Sequence, residues 1–592
     1  MVNEALRYGV GWTALFLCAF FAVSSAKAAA RSKQPAADII ITNARIYTVN
    51  PGQPWAEAAA VRDGRLLAVG SAGTIARYRG PSTRLIDAQQ HLLLPGLTDA
   101  HIHFYEGSIL LTRLRLDEAR TVSQIQQSVK DYAAAHPDEP WIIGRGWSYP
   151  AFGSAGMPHK RFLDEVVPDR PVFLVGFDGH SYWANSKALA VAGVGPNTPD
   201  PPNGMVVHDE HGEPTGALKE DAAADLVRRV IPEPTREQKL DALRRGLRAA
   251  SRVGLVRVHG AGGEGESSDF AVLDLLENLR RNGELTVRFY TAYYLDPAEP
   301  LPAALEHLEA ARKQYRDEWI STGAVKVFLD GVVETHTAAM LTAYSDDPSQ
   351  IGKLFWDPEK YKFAVAELDR RGLQVFTHAI GDRAVRLALD AYEAAAKSNR
   401  TADARHRVEH IETITPSDIP RFGGLGVIAS FQPLHAYPDD DTLNVWARNA
   451  GPDRSSRGWA WHSIAASGGR LAFGSDWPVV TLNPWEGLQS AVTRQTWEGT
   501  PPGGWLPEQR VSLEQAIRAY TLGAAIAGRR EKTEGSIEPG KVADLIVVSQ
   551  DVFKIDPHQI RQTEVLLTMV GGKVVYQSPA WEKQARPREE KR

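Results

Sequence analysis

Apolar positions fall into three textures along the chain. Ile39-Ile-Ile-Thr-Asn-Ala-Arg-Ile-Tyr-Thr-Val49 reads as a short strand pair. Ala58 to Val69 reads as two more strands turned at Asp63-Gly64, a dipeptide suited to tight hairpins. The pattern returns near the far end, where Ala543–Val548 and Val565–Tyr576 are strand-like, the latter turned at Gly571-Gly572. Between them, from about Leu92 to Gly528, apolar runs such as Val172–Val175, Val325–Phe328, Leu373–Phe376 and Leu471–Phe473 precede longer helical patterns. That alternation predicts βα units around a parallel sheet, with a β module assembled from both ends. A third texture lies at the start: no charge falls between Arg7 and Lys27, Trp12 to Val23 is strongly apolar, and small residues surround Ala26 and Ala28. This predicts a secretory signal over residues 1–28 and a periplasmic or secreted protein; the alternative is an uncleaved N-terminal membrane anchor. No later stretch is long and apolar enough to span a bilayer, so no stable membrane insertion is expected after cleavage. Glu582 to Arg592 reads as a frayed charged tail.

Composition narrows the chemistry. Of 592 residues 43% are hydrophobic and 23% charged, with a net charge of −5, which describes a globular chain without a global field for polyanions. No run of basic residues marks a nucleic-acid surface, so a small-molecule substrate is expected. A homo-oligomer stays open. The one cysteine, Cys18, lies in the apolar leader, which excludes disulfides, thiolate metal sites and a cysteine nucleophile in the mature body.

The informative residues stand where apolar runs end. His101 and His103 are two positions apart, so in extended chain they share a face and can supply two nitrogen donors to a divalent metal. His378 ends Val375-Phe-Thr-His, His410 ends Arg407-Val-Glu-His, and Asp476 ends Leu471-Ala-Phe-Gly-Ser-Asp. Their spacings suit successive βα units, so all can meet at one barrel mouth.

These segments, with Pro95–His103, Asp178-Gly-His-Ser181, Asn185-Ser-Lys187, Gly323–Gly331, Thr377–Asp382, Phe473–Pro478 and Gly535–Asp544, resemble the amidohydrolase superfamily. Within it the sequence looks like the YtcJ-like branch, similar to N-substituted formamide deformylase. The resemblance implies an α/β fold: a TIM-like (β/α)8 barrel over residues 93–528, with a long insertion around 105–320, and a small β-sandwich from 37–92 and 529–580. It implies metal ligands at His101, His103, Lys326, His378, His410 and Asp476, holding one or two divalent ions, with Zn2+ the expected metal. Lys326 would bridge two ions as a carbamate, or else be a structural lysine. Asp476 would also be the catalytic proton carrier. His180, Glu334 and His435 are substrate-binding candidates, with His336 beside Glu334; His208, His211 and His259 read as surface or packing residues.

A divalent metal lowers the pKa of bound water toward neutrality and makes hydroxide available. The expected reaction is hydrolysis of a C–N amide bond in an N-acyl or N-formyl amine. The same site would also serve a cyclic amide, carbamate, ester or exocyclic amine. A binding protein that kept the fold without activity is the reading from another class.

Overall fold

A computed structural model describes residues 35–155, 157–176, 181–201, 204–262 and 268–581. The leader 1–28, the segment containing His180 and the tail 582–592 lie outside these described residues. Among the described residues no helix is long and apolar enough to cross a membrane.

Eight strands form one sheet in sequential order: β1 (Leu97–Ile102), β2 (Leu255–Gly260), β3 (Arg288–Tyr294), β4 (Ile320–Phe328), β5 (Gln374–Ala379), β6 (Arg407–His410), β7 (Ile428–Phe431) and β8 (Arg470–Phe473). The seven pairings between neighbours in this order are all parallel. The seam between β8 and β1 closes just past the strand ends, where the Asp476 N–H donates to the His101 carbonyl at 2.7 Å. Asp99 staples the same seam, its Oδ1 accepting N–H groups of both His101 (3.1 Å) and Ser475 (3.0 Å). Burial pushes the Asp99 carboxyl up to about 7. This is a TIM-like (β/α)8 barrel, and the carboxyl ends of its strands carry the residues singled out above.

Two further sheets stand beside the barrel, one built from N-terminal strands alone and the other from both ends of the chain. One pairs Ile39–Thr42 with Ala58–Arg62 and Arg84–Asp87; the other sets Leu92–Pro95 between Arg45–Tyr47 and Leu545–Val548. Ile41, Ile46, Leu66, Leu93, Leu545, Leu567 and Met569 pack between them as one apolar core. Leu92–Pro95 runs into β1 through Gly96 alone, and a Cβ at Gly96 would stand 2.3 Å from Val256 Cγ1. The close approach of β2 therefore demands glycine at this junction.

Three sequence expectations need correction. Ile39–Val49 does form two strands, but they do not pair: Asn43, with φ of +53°, turns the chain so that Ile39–Thr42 and Arg45–Tyr47 enter different sheets. Val172–Gly176 is not a barrel strand. It lies in a six-stranded mixed sheet with Ile142–Trp147 and Ser181–Ala184, because a short buried apolar run reads the same in either setting. The insertion is also shorter than 105–320: β2 and β3 fall inside that stretch, and the helices Phe104–Leu110 and Arg236–Arg252 pack in the barrel core, leaving roughly residues 111–235 outside the barrel. The buried Arg257, His259 and Arg288 broke the apolar signal of those two strands.

Candidate metal centre

Each candidate ligand sits at or just beyond the carboxyl end of a barrel strand, with His101 and His103 sharing the first. His101 is in β1, and His103 begins the helix Phe104–Leu110. Lys326 lies in β4, while His378 and His410 lie at the ends of β5 and β6. Asp476 follows β8, and His435 follows β7 in the short helix Pro433–Ala436. His410 and Asp476 adopt φ of +73° and +62°, a left-handed backbone that L-residues rarely hold and that recurs where a side chain must be aimed at a site.

The side chains converge. Asp476 Oδ1 lies 3.3 Å from His101 Nε2 and 3.2 Å from His103 Nε2, and Asp476 Oδ2 lies 3.6 Å from His435 Nε2 and 4.0 Å from His410 Nδ1. Lys326 Nζ is 3.3 Å from His101 Nε2. The His410 ring is centred 4.8 Å from that of His101 and 4.5 Å from that of His378. Two overlapping ligand sets share Asp476: His101 with His103, and His410 with His435.

The ring nitrogens show what belongs between them. His101 Nδ1 donates to Glu409 Oε2 at 2.6 Å, and His103 Nδ1 donates to the Gly262 carbonyl at 3.0 Å. In their neutral forms both rings then turn an Nε2 lone pair toward Asp476 Oδ1, which is buried and has no hydrogen-bond partner. Lone pairs of two rings and a carboxylate facing one another across 3.2 to 3.3 Å repel unless a cation stands among them. The donor set of imidazole and carboxylate suits a divalent metal such as zinc. Burial favours the neutral form of three further rings, pulling His378 down to about 3 and lowering His435 and, further, His410, whereas at His103 burial is outweighed by the adjacent Asp476 carboxylate, which raises it.

Behind the ligands lies a support that sequence reasoning left without a role. Arg407 clasps Glu409 through Nε (2.7 Å) and Nη2 (3.0 Å), and packs its guanidinium 3.8 Å from the centre of the Phe376 ring. Glu409 in turn fixes His101, the carboxylate–imidazole pairing that orients a metal ligand. Asp330 accepts N–H groups from Ala339, Ile380 and Gly381, tying together the loops after β4 and β5. Glu412 was also missed. It is 5% exposed, accepts from Trp446 Nε1 at 2.7 Å, and is pushed well above the usual range by burial and the nearby Glu334, Asp330 and Asp476 carboxylates. Its neighbours Ile411, Thr413 and Ile414 are buried as well.

The remaining candidates separate. Glu334 is exposed on the loop after β4, its carbonyl accepting from Asn449 Nδ2 at 3.1 Å. His336 pairs with Asp346 at 2.9 Å, away from the ligands. His259 is buried in β2 against Arg407, in keeping with a packing role.

Eight parallel strands carrying this cluster at their carboxyl ends define a metal-dependent hydrolase of the barrel type. The chain belongs to the amidohydrolase family, whose model matches residues 84–576. It is 33% identical over 547 residues to Protein LONG AFTER FAR-RED 3 of Arabidopsis thaliana, covering 91% of this chain and 92% of the relative. It is 30% identical over 538 residues to the putative amidohydrolase YtcJ of Bacillus subtilis strain 168, covering 90% and 98%. N-substituted formamide deformylase of Arthrobacter pascens is 26% identical over 555 residues, covering 91% and 98%. An uncharacterized metal-dependent hydrolase from Pyrococcus horikoshii OT3 superposes with a TM-score of 0.71 at 24% identity, covering 88% of this chain and 99% of that one, and so shares the fold.

Proposed function

We propose that this protein is an exported hydrolase that cleaves the C–N bond of an N-acyl or N-formyl amine. The observation that carries the reading is the buried, unpartnered Asp476 Oδ1 between the Nε2 atoms of His101 and His103. His101, His103, His378, His410 and Asp476, with Lys326 beside them, would hold a divalent cation, which would supply Lewis acidity and lower the pKa of water. Asp476 has an oxygen free to accept the proton of the attacking water and return it to the leaving nitrogen as the C–N bond breaks. His435, neutral through burial and with Nε2 unpartnered, is placed to orient the acyl oxygen. The likeness to a relative named N-substituted formamide deformylase supports a formyl or small acyl group. Export rests on the charge-free, apolar leader between Arg7 and Lys27.

One purified sample tests these points. We expect bound zinc or a similar divalent ion, a mature N-terminus after Ala28 by mass spectrometry, and turnover of N-formyl or N-acyl amines in preference to lactams and esters. Asp476→Asn should lower turnover by about 10²–10⁴-fold, and His101→Ala with His103→Ala should remove most of the metal. Parent-like turnover in Asp476→Asn, or full metal in the double variant, would overturn the site assignment; preferred turnover of esters or lactams would overturn the substrate class. An intact Met1–Ala28 segment on membrane-bound protein would replace export with anchoring.

A further inference from the structure

At the opposite, amino-terminal end of the barrel lies a cavity of about 590 Å³. Its lining includes Arg312, Lys313 and Arg316 from the end of helix Leu301–Gln314 and the residues after it, and Arg529 and Arg530 from the turn after the helix Ala524–Ala527. Glu309 is the one carboxylate in the lining, and it is already paired with Arg371. None of the five cations makes an ion pair within 4.0 Å among the described residues. The neighbouring carboxylates are engaged elsewhere: Asp317 with Arg280, Glu318 with Arg65, and Glu531 with Arg405. Arg312, Arg529 and Arg530 are held instead by the backbone carbonyls of Arg371, Gly372 and Asp317, contacts that fix the guanidinium groups without neutralising them. Burial and the Arg257 guanidinium lower the Arg530 pKa, as uncompensated positive charge requires.

Cations near a helix carboxyl terminus are common because they face the negative end of the helix dipole. That accounts for Arg312 and Lys313. It does not account for Arg529 and Arg530, which come from more than two hundred residues away in sequence and face the same hollow. The hollow is kept open in part by backbone: Gly323, with φ of +138°, and Gly372 line it beside Arg312, where side chains would stand. Such a volume is that of a small-molecule pocket, and fixed guanidinium forks bind phosphate and carboxylate groups bidentately.

We propose that this cavity binds a small polyanion carrying two or more phosphate or carboxylate groups, at a site separate from the hydrolytic centre. A single anionic group would leave most of the charge unmatched, whereas two or more can engage the helix-end cations and the Arg529–Arg530 pair together. The size of the hollow, about 590 Å³, suits a compact ligand.

Isothermal titration of the full purified, metal-loaded protein at fixed ionic strength tests this, with fructose 1,6-bisphosphate in one arm and propane-1,2,3-tricarboxylate in the other. One-to-one saturable binding is expected in at least one arm, and the arm that binds identifies the anionic group. Lys313→Glu combined with Arg316→Glu should weaken it by tenfold or more. Both side chains are exposed and unpaired, so the fold should tolerate the change; Lys313→Gln with Arg316→Gln should lose affinity in the same direction by less. Reversal of the remote, exposed Lys130 should leave affinity unaltered. Absence of saturable binding in both arms, unchanged affinity in the cavity variants, or an equal loss in Lys130→Glu would each overturn the proposal.

Discussion

Lys326 is the residue whose chemistry the geometry constrains most. It is fully buried, its Nζ lies 3.3 Å from His101 Nε2 and 4.6 Å from the centre of the Phe328 ring, and no carboxylate among the described residues comes within 4.0 Å. A buried ammonium without a paired anion is costly, and burial lowers Lys326 to about 8. Conversion to a carbamate would replace that charge with an anionic ligand. If it does so, Lys326→Ala should lose activity and about half the metal, and Lys326→Arg should not rescue, since guanidinium stays cationic. Metal stoichiometry of the two variants is the measurement; parent-like stoichiometry in both would leave Lys326 a structural residue. His101, His103, His378, His410 and Asp476 were legible in the sequence because each stands at the end of an apolar run. Glu409 and Glu412 were not, since a buried carboxylate has meaning only beside its partner, and His101 and Trp446 are remote in sequence.

Among elements, the joint between helix Pro358–Arg370, helix Asp382–Asn399 and the start of β6 turns on Asp369. This 5%-exposed carboxylate accepts from Asn399 Nδ2 (2.8 Å), Thr401 Oγ1 (2.8 Å) and His406 Nε2 (3.1 Å). Burial would raise it, but these three donors together hold it down to about 2. The folded value lies below the unfolded one, so the stabilisation is complete above about pH 4 and is lost as the pH falls toward 2. Asp369→Asn should therefore cost about 2 kcal/mol at neutral pH, with the deficit shrinking on acidification. A deficit independent of pH between 2 and 6, measured by denaturant unfolding, would contradict the assignment. The alternation of apolar runs and helical patterns sufficed to find β4, β5 and β8. It failed at β2 and β3, where buried arginines interrupt the run, and at Val172–Gly176, whose sheet is set by partners that periodicity does not name.

In the whole molecule, those interrupting arginines fasten the barrel to the sandwich. Arg257 in β2 grips Glu534 through Nε (2.5 Å) and Nη2 (2.8 Å), and Arg288 in β3 grips Asp544 through Nε (2.9 Å) and Nη2 (3.2 Å). Asp544 immediately precedes the strand Leu545–Val548 and also accepts the Gly571 N–H at 2.6 Å. The Arg288 guanidinium lies 4.4 Å from the centre of the Trp319 ring and is 2% exposed. A pair this deep contributes little over an apolar replacement, but breaking one side strands a buried charge at about 3–5 kcal/mol. Asp544→Ala should thus lower the thermal midpoint markedly. Adding Arg288→Met should recover most of the loss, because the stranded charge is gone and the methionine side chain still packs on Trp319. A double variant as unstable as Asp544→Ala alone would show that the aspartate acts through Gly571 and the strand turn rather than through the arginine, and that the contact between the two units is held chiefly by the continuous chain at Gly96 and its apolar surroundings.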